Sequence, residues 1–450
     1  MLLWSQWGTW LVLGGMALFL LSLWVDVTPF VRWLERRYEA PRALPQKKKK
    51  REVLAHYETY IEGKAEKSAL PNTVRLGIIA PSSERLGDVF MRLPLKPCQH
   101  SGIKMPDHFY FPCFQCGTLR RTTHWYYVHM CKDCGNLNWK NLMIIREGGR
   151  TKQMQDIIAV VIGGRIKLGF QVALAMLRAG ARVIVTTRNS LAAHTNYLRE
   201  HDCDEWKHNL YITELDLGLD EYGGGSTNAL LHGIDTFEET VDLQLKAWNV
   251  DQIDVLFNVA AQTIRGIDKV VPKDPKAVTR YGDSKFFPED QKNSWNTSFE
   301  EVDPLELQEV MCTNAIAPFL LCQKLLPFLQ RSSYKRRCII NVHAREGLFR
   351  VNNKSSSHPH TNMAKAALHM MTLMLNRHNY GTDLFVPAWG IDPSFFSVNE
   401  YSMKSSPYKE APLSELEAMA RVLFVLFSKK DYFKIHTKFT VRHFFKDIKV

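Results

Sequence analysis

The C-terminal two thirds of this 450-residue sequence predict a doubly wound α/β fold built on a parallel sheet. Strand-like and helix-like segments alternate from about Asp156 onward, a pattern that gives a parallel sheet covered by helices on both faces. The first strand-like run, residues 157–162, is wholly apolar and rich in β-branched residues, as expected for a strand buried on both faces. It leads directly into two glycines, Gly163 and Gly164. In such folds, ligands bind at the carboxyl ends of the strands.

The other elements follow in the order that this fold requires. Further strands are predicted at residues 182–187, 210–215, 254–259 and 338–342, and helices at 170–178, 305–330 and 362–377. Two stretches interrupt the alternation. Residues 218–226 are glycine-rich and predict a loop. Residues 266–303 are charged and contain several prolines, and a lid, a partner surface and a disordered insertion are all open interpretations.

The N-terminus predicts a membrane anchor. Residues 1–25 carry no ionisable side chain, and residues 2–24 are long enough to cross a bilayer as a helix, which takes about 20 apolar residues. Tryptophans stand near both ends of the segment, where indoles favour the membrane interface. A cleaved signal peptide is the alternative, but the basic start and the small residues before a cleavage site are missing. A buried core helix is a third, weaker interpretation.

Basic residues after the apolar segment predict the orientation of the chain. Arg32, Arg36, Arg37 and the run 47–51 all lie on its C-terminal side, and positive flanks stay on the cytosolic or matrix side. We therefore expect the mitochondrial inner membrane with the domain in the matrix, or the endoplasmic reticulum with the domain in the cytosol. The net charge of +12 suits an acidic partner, such as a nucleotide, but no recognisable nucleic-acid module is present.

Four of the nine cysteines predict a metal site. Cys113, Cys116, Cys131 and Cys134 form two C-x2-C pairs that are separated by fourteen residues. Each pair forms a knuckle that supplies two thiolates to one tetrahedral Zn²⁺, and four sulfur ligands leave no position for water. The predicted zinc is therefore structural, and it would supply folding energy that so short a segment lacks. A redox pair and four unrelated cysteines are the alternatives.

These features divide the chain into five predicted parts. They are a transmembrane anchor (1–25), a basic linker with a helix near residues 53–66 (26–107), a zinc-ribbon-like segment (108–150), the α/β domain (151–430) and a C-terminal tail (431–450).

Motifs along the α/β domain resemble those of the short-chain dehydrogenase/reductase family over roughly 240 residues. Its glycine turn resembles the family pattern T-G-x-x-x-G-x-G, with Gly164 at the first glycine, Lys167 at the second and Phe170 at the third, one place after Gly169. Four downstream matches follow in order: Asp216 after the third strand, Asn258 in Asn-Val-Ala-Ala, Asn314 in Thr-Asn-Ala-Ile-Ala-Pro and Lys365 in Lys-Ala-Ala-Leu. Together with the cysteines, they resemble a poorly characterised eukaryotic subset of this family.

The resemblance implies a Rossmann domain that binds a dinucleotide. The implied cofactor contacts are Gly164, Arg165, Lys167, Gly169, Arg188, Asp216, Asn258, Ala260 and Lys365. An acidic residue at the end of the second strand would bind the ribose of NAD(H), but this chain has Thr-Thr-Arg188 there. Because arginine favours a 2′-phosphate, NADP(H) is expected in preference to NAD(H). A solvated surface charge is the alternative interpretation of Arg188.

The implied catalytic positions are only partly kept. Lys365 and Asn314 match the family, whereas Thr361 stands at the tyrosine position and Ala344 at the serine position. An aliphatic hydroxyl cannot replace a phenol, whose pKa near 10 can be tuned. His360 is the candidate substitute acid, with His343 and His358 as further histidines nearby, and loop histidines without a proton role are the alternative. The stretch 389–393 also lacks the family's Pro-Gly turn.

Two functions are therefore open. The first is a membrane-anchored NAD(P)(H)-dependent oxidoreductase with an altered catalytic site. The second is a catalytically inactive accessory subunit of an organellar membrane complex, in which other subunits would be the partners.

Overall fold

A computed structural model describes residues 110–218, 227–261, 297–349, 356–396 and 412–429, and the backbone of strands at 440–443 and 446–449. The predicted membrane anchor, the basic linker with its helix and most of the charged stretch 266–303 lie outside the described residues.

The cysteine segment combines a hairpin with a helix. Strands β1 (Phe111–Pro112) and β2 (Leu119–Arg120) pair antiparallel, and the first cysteine pair lies in the turn between them. Helix α1 (Lys132–Arg150) begins directly after Cys131, which is its N-cap residue. The second cysteine pair therefore lies at the start of a helix, and not in the second ribbon knuckle that the spacing predicts.

Eight strands form the main sheet, and the predicted doubly wound topology is confirmed. In chain order they are β3 (Ile158–Ile162), β4 (Arg182–Thr187), β5 (Leu210–Glu214), β6 (Val255–Asn258), β7 (Cys338–Val342), β8 (Ala388–Asp392), β9 (Thr440–His443) and β10 (Lys446–Lys449). Their spatial order is β10-β9-β8-β7-β6-β3-β4-β5, and every pairing except β9 with β10 is parallel. The chain order reverses beside β3, so this edge is the topological switch point at which ligands bind.

Within the described residues, eight further helices surround the sheet, and one of them is a single turn of four residues. They are α2 (Lys167–Arg178), α3 (Ser190–Leu198), α4 (Cys203–Trp206), α5 (Thr227–Ala247), α6 (Pro304–Met311), α7 (Ala317–Arg331), α8 (Pro359–Leu375) and α9 (Glu415–Phe427). The predicted helix 305–330 is present as α6 and α7, joined by a π-helical turn at Cys312–Ile316. Within the described part of the chain, this unit is apolar and long enough to cross a membrane, but 56% of its apolar window is buried. Leu321 and Leu325 pack in the core, as expected for a core helix.

The two faces of the sheet carry separate cores. Ile158 and Val160 face α5 and α7, whereas Ala159 and Val161 face α2 and α9, as the two-residue period of a strand requires. The cysteine segment belongs to the second core, because α1 packs against α9. The buried Arg421 of α9 donates to the side-chain oxygen of Asn138 on α1.

The C-terminal residues take part in the sheet. Sequence reasoning assigned 431–450 to a tail, whereas β9 pairs with β8 and adds a seventh parallel strand. Neither β9 nor β10 shows the apolar run by which the five predicted strands were recognised.

Candidate functional site

The glycine turn between β3 and α2 needs glycine at two positions. Gly163 has a φ of +87°, and a Cβ atom there would lie 2.8 Å from the Cα atom of Ala260. A Cβ atom on Gly169 would lie 2.1 Å from the carbonyl oxygen of Gly163, so this glycine lets α2 pack against the turn. With Gly163 as the first glycine, the family spacing places Lys167 second and Gly169 third. The first position of the pattern therefore moves from Gly164 to Gly163 and the third from Phe170 to Gly169, whereas Lys167 keeps the second position.

Lys167 adopts the conformation of the glycine that it replaces. Its φ is +52°, in the left-handed region where a side chain is strained, and it is the first residue of α2. The N-cap residue Ile166 makes no side-chain cap, and the first turn contains no acidic residue. No acidic side chain in the first turn therefore neutralises the positive end of the helix dipole, which favours binding of an anion.

Three side chains that sequence reasoning missed hold this turn. The Gly163 amide donates to the hydroxyl of Thr186 over 3.1 Å, and the Gly164 carbonyl accepts from the Tyr197 hydroxyl over 2.7 Å. The Asn196 amide donates to the carbonyl of Arg165 over 3.1 Å. Asn196 and Tyr197 belong to α3 and had no motif to mark them, because their contact with the turn arises only in the folded chain.

Arg188 lies where the sequence placed it, directly after β4, and is exposed. It borders a groove of about 360 Å³ between the end of β5 and one face of α5, which includes Gly233 and Thr236. Asp216 also borders this groove, and its carboxylate accepts from the Gly218 amide over 2.9 Å. The last residues of β4 include no acid to hold a ribose 2′-hydroxyl.

The predicted catalytic residues lie at the carboxyl edge of the sheet, and all are buried. Asn314 lies in the π-helical turn between α6 and α7, an element frequent at functional sites. Thr361 and Lys365 are four residues apart in α8 and therefore share one face. The Lys365 ammonium donates to the Val342 carbonyl at the end of β7 over 2.8 Å, and burial lowers the pKa of Lys365 to about 8.

This buried amine predicts a pH-dependent stability. Because the folded-state pKa of Lys365 lies below the unfolded value of 10.5, the unfolded chain binds more protons between pH 8 and 10.5, and stability rises with pH in that window. We compare the free energies of unfolding of the wild type and of Lys365→Met. Their difference should change by about 3 kcal/mol in favour of the wild type between pH 8 and pH 10.5. Urea unfolding at several pH values measures this. Lys140→Met, an exposed site, is the control, and parallel curves for wild type and Lys365→Met would contradict the prediction.

Asn258 and His343 belong to a hydrogen-bonded seam inside the domain. Asn258 donates to Asn341 over 2.8 Å, and Asn341 donates to the Thr372 hydroxyl over 2.8 Å. Since that hydroxyl donates to the Leu368 carbonyl, His343 Nε2 must donate to it, over 3.0 Å. Burial holds the pKa of His343 well below its usual value. His343 therefore stays neutral near pH 7 and does not serve as the substitute acid.

The other two histidines begin α8. His358 is the N-cap residue, and its backbone amide donates to the Thr297 carbonyl over 2.8 Å. The Nε2 atom of His360 lies 3.1 Å from Oε1 of Glu306 on α6, and both residues are buried. Both histidines thus lie at a helix start and not in a loop. In the stretch 389–393, the first four residues belong to strand β8 (Ala388–Asp392), and Pro393 follows the strand.

The four cysteine sulfurs converge within 4.8 Å of one another. Hydrogen bonds from the Cys134 thiol and from backbone amides lower the pKa of Cys113 to about 4. Asn138 donates to the Cys134 carbonyl over 2.7 Å. Four convergent cysteine sulfurs fit a tetrahedral Zn²⁺.

The chain is similar in sequence to a viral protein. No protein-family model matches it. It is 30% identical over 373 residues to "Uncharacterized protein R665" of Acanthamoeba polyphaga mimivirus. The aligned region covers 74% of this chain and 75% of the viral protein.

Solved short-chain dehydrogenases are similar at lower identity. One from Shigella flexneri, complexed with NADP, is 18% identical, with a TM-score of 0.43 over 61% of this chain and 91% of its own. The Pseudomonas aeruginosa RhlG/NADP complex is 20% identical, with a TM-score of 0.41 over 60% and 90%. The parallel sheet, with the strand order given above, has a Rossmann fold. The chain belongs to the same family as the mimivirus protein.

Proposed function

We propose that this chain binds a nicotinamide dinucleotide, NADP(H) in preference to NAD(H), at the carboxyl edge of its sheet. The observation that carries this proposal is the strand–turn–helix unit at Gly163–Gly169, in which two glycines are required sterically and the helix start bears no acidic residue. Backbone amides of such a turn suit a pyrophosphate. Arg165 and Lys167 add positive charge beside it.

The proposed activity is an oxidoreductase reaction at an altered site. The bound dinucleotide would supply the hydride chemistry, and Lys365 and Asn314 would orient it from α8 and the π-helical turn. The chain has no phenol or serine at the family positions, since Thr361 and Ala344 replace them. An inactive accessory subunit of a membrane complex is the competing outcome.

Two further features belong to the proposal. An anchor at residues 2–24 would attach the chain to a membrane, with the mitochondrial inner membrane favoured over the endoplasmic reticulum. The four-cysteine cluster would hold one structural Zn²⁺. Expression of the full chain with a fluorescent tag, followed by carbonate extraction, tests the anchor, because a peripheral protein is released and an integral one is retained.

Fluorescence titration of the purified full chain with NADPH tests the central proposal. Saturable binding at micromolar cofactor is expected. No binding at millimolar NADPH would reject dinucleotide binding, whereas binding without any turnover of carbonyl compounds would favour the accessory subunit.

Replacing Arg188 by aspartate is expected to reverse the cofactor preference. The change removes a charge-assisted contact to the 2′-phosphate and places a carboxylate where it can accept from a ribose hydroxyl. We expect NADPH affinity to fall about 10- to 100-fold, with NADH affinity unchanged or improved. Fluorescence titration with both cofactors measures this. Arg199→Asp, at the exposed C-cap residue of α3, is the matched control, and equal losses in the two variants would show that only net charge matters.

A further inference from the structure

The four cysteine sulfurs differ in their surroundings, although they converge within 4.8 Å of one another. Cys113 and Cys131, which we call the inner sulfurs, are 2% and 3% exposed. Cys116 is exposed and Cys134 is half-buried, and we call these two the outer sulfurs. Each C-x2-C pair therefore contributes one inner and one outer sulfur to the cluster.

Backbone hydrogen bonds protect the inner sulfurs. The Cys131 amide donates to the Cys113 sulfur over 3.3 Å, and the amides of Gln115 and Cys116 donate to the same atom. The Cys134 amide donates to the Cys131 sulfur. An N–H donor withdraws electron density from a thiolate and occupies one of its lone pairs, which weakens the sulfur as a nucleophile. The inner sulfurs are thus shielded both by burial and by hydrogen bonds.

The outer sulfurs lie where solvent reaches them. Cys116 belongs to the turn between β1 and β2, and a Cβ atom added to the following Gly117 would meet nothing within 4 Å. Cys134 is the third residue of α1 and is only half-buried. Oxidation of cysteine follows thiolate character and exposure. Because all four sulfurs are thiolates when they bind Zn²⁺, exposure decides which of them react.

We propose that Cys116 and Cys134 form a modification site for peroxides, at which oxidation joins the two outer sulfurs in a disulfide and releases the metal. This inference rests on the structural Zn²⁺ of the proposed function. The Cys116 thiolate attacks one peroxide oxygen, the O–O bond breaks and hydroxide leaves, so that Cys116 becomes a sulfenic acid. The Cys134 thiolate then attacks the Cys116 sulfur, the S–O bond breaks and a second hydroxide leaves. In total, two thiolates lose two electrons to one peroxide molecule.

The disulfide changes what the cysteine segment can hold. Only the two inner sulfurs remain as ligands, and they do not complete the tetrahedral site of a structural Zn²⁺. The new bond also draws Cys134 toward the hairpin. The Cys134 carbonyl accepts from Asn138, which in turn accepts from Arg421, so oxidation reaches the contact between α1 and α9. A cellular thiol reverses the change by thiol–disulfide exchange.

Hydrogen peroxide treatment of the purified full chain tests the site. A zinc-sensitive dye should report the release of about one Zn²⁺ for each disulfide formed. Peptide mass spectrometry should identify the main disulfide as the one between Cys116 and Cys134, and dithiothreitol with added Zn²⁺ should restore the metal. A main disulfide between the inner sulfurs or within one C-x2-C pair would overturn the site. So would retention of the metal after Cys203, which is half-buried outside the cluster, has been oxidised.

Histidine in place of Cys116 separates oxidation from metal binding. Because histidine is also a zinc ligand, Cys116→His should keep the metal but cannot form the outer disulfide. We expect peroxide to release its metal at least about 10-fold more slowly than that of the wild type. Cys203→Ser is the matched control and should release metal as the wild type does, whereas equal rates in Cys116→His and the wild type would overturn the site.

The disulfide map of the wild type does not depend on this variant. If Cys116→His binds no metal, the map decides alone. A purified wild type without metal would reject the structural zinc, and its disulfide map would still confirm or reject the pairing of Cys116 with Cys134.

Discussion

Substitution of Cys134 by serine is expected to release the metal and to lower the Tm of the full chain by at least about 10 °C. Cys134 contributes one of four sulfurs that lie within 4.8 Å of one another. Metal binding supplies about 10–16 kcal/mol in small zinc modules, and about 2–4 °C of Tm accompanies each kcal/mol in a domain of this size.

The loss should spread beyond the cysteine segment. The Cys134 carbonyl accepts from Asn138, whose own side-chain oxygen accepts from Arg421 of α9. A disordered start of α1 would displace Asn138 and remove one hydrogen bond of the buried Arg421, which also donates to the Glu417 carbonyl. A hydrogen bond to a charged group contributes about 1.5–3 kcal/mol.

Elemental analysis and thermal unfolding measure this prediction. The wild type should contain one Zn²⁺ per chain, and a chelator should reproduce the effect of Cys134→Ser. Cys203→Ser is the control, since Cys203 is half-buried on α4 and lies outside the cluster. If the chelator removes the metal from the wild type and leaves its Tm unchanged, or if the purified wild type contains no metal, the cluster does not hold a structural zinc.

Alanine at Gly163 is expected to reduce NADPH affinity by about 100-fold or more. Two costs combine at this position. The φ of +87° disfavours any residue with a Cβ atom, by roughly 1–2 kcal/mol, and the new atom would lie 2.8 Å from the Cα atom of Ala260. The turn must therefore move, and a displacement of about 1 Å at a binding site can cost about 10²-fold.

Gly381→Ala separates the two costs. Gly381 has a similar φ of +81°, but an added Cβ atom would meet nothing within 4 Å. We expect this variant to lose about 1–2 kcal/mol of stability and no NADPH affinity. Cofactor titration and urea unfolding of both variants give the comparison. An unchanged NADPH affinity in folded Gly163→Ala would show that the glycine turn does not hold the dinucleotide.

Much of the fold followed from local pattern. The strands at 182–187 and 338–342 were predicted with their observed bounds, and the other three predicted strands are each one residue too long at one or both ends, because buried parallel strands are short apolar runs with sharp ends. The helix at 305–330 was also recognised, but its π-helical turn was not. Strands β9 and β10 were missed because their sequences, with charges at several positions, do not alternate as a half-buried strand should.

The sequence by itself determined the elements whose cause is local. A cysteine spacing, an apolar run and a glycine pair each have a physical meaning within a few residues, so the cysteine cluster, the parallel sheet and the glycine turn could be predicted. The tertiary structure alone decided what depends on distant partners: Tyr197 on the turn, His343 neutral in a core seam, and Glu306 behind His360. A titratable group takes its role from burial and from the atom it contacts, and both are set when separate elements pack.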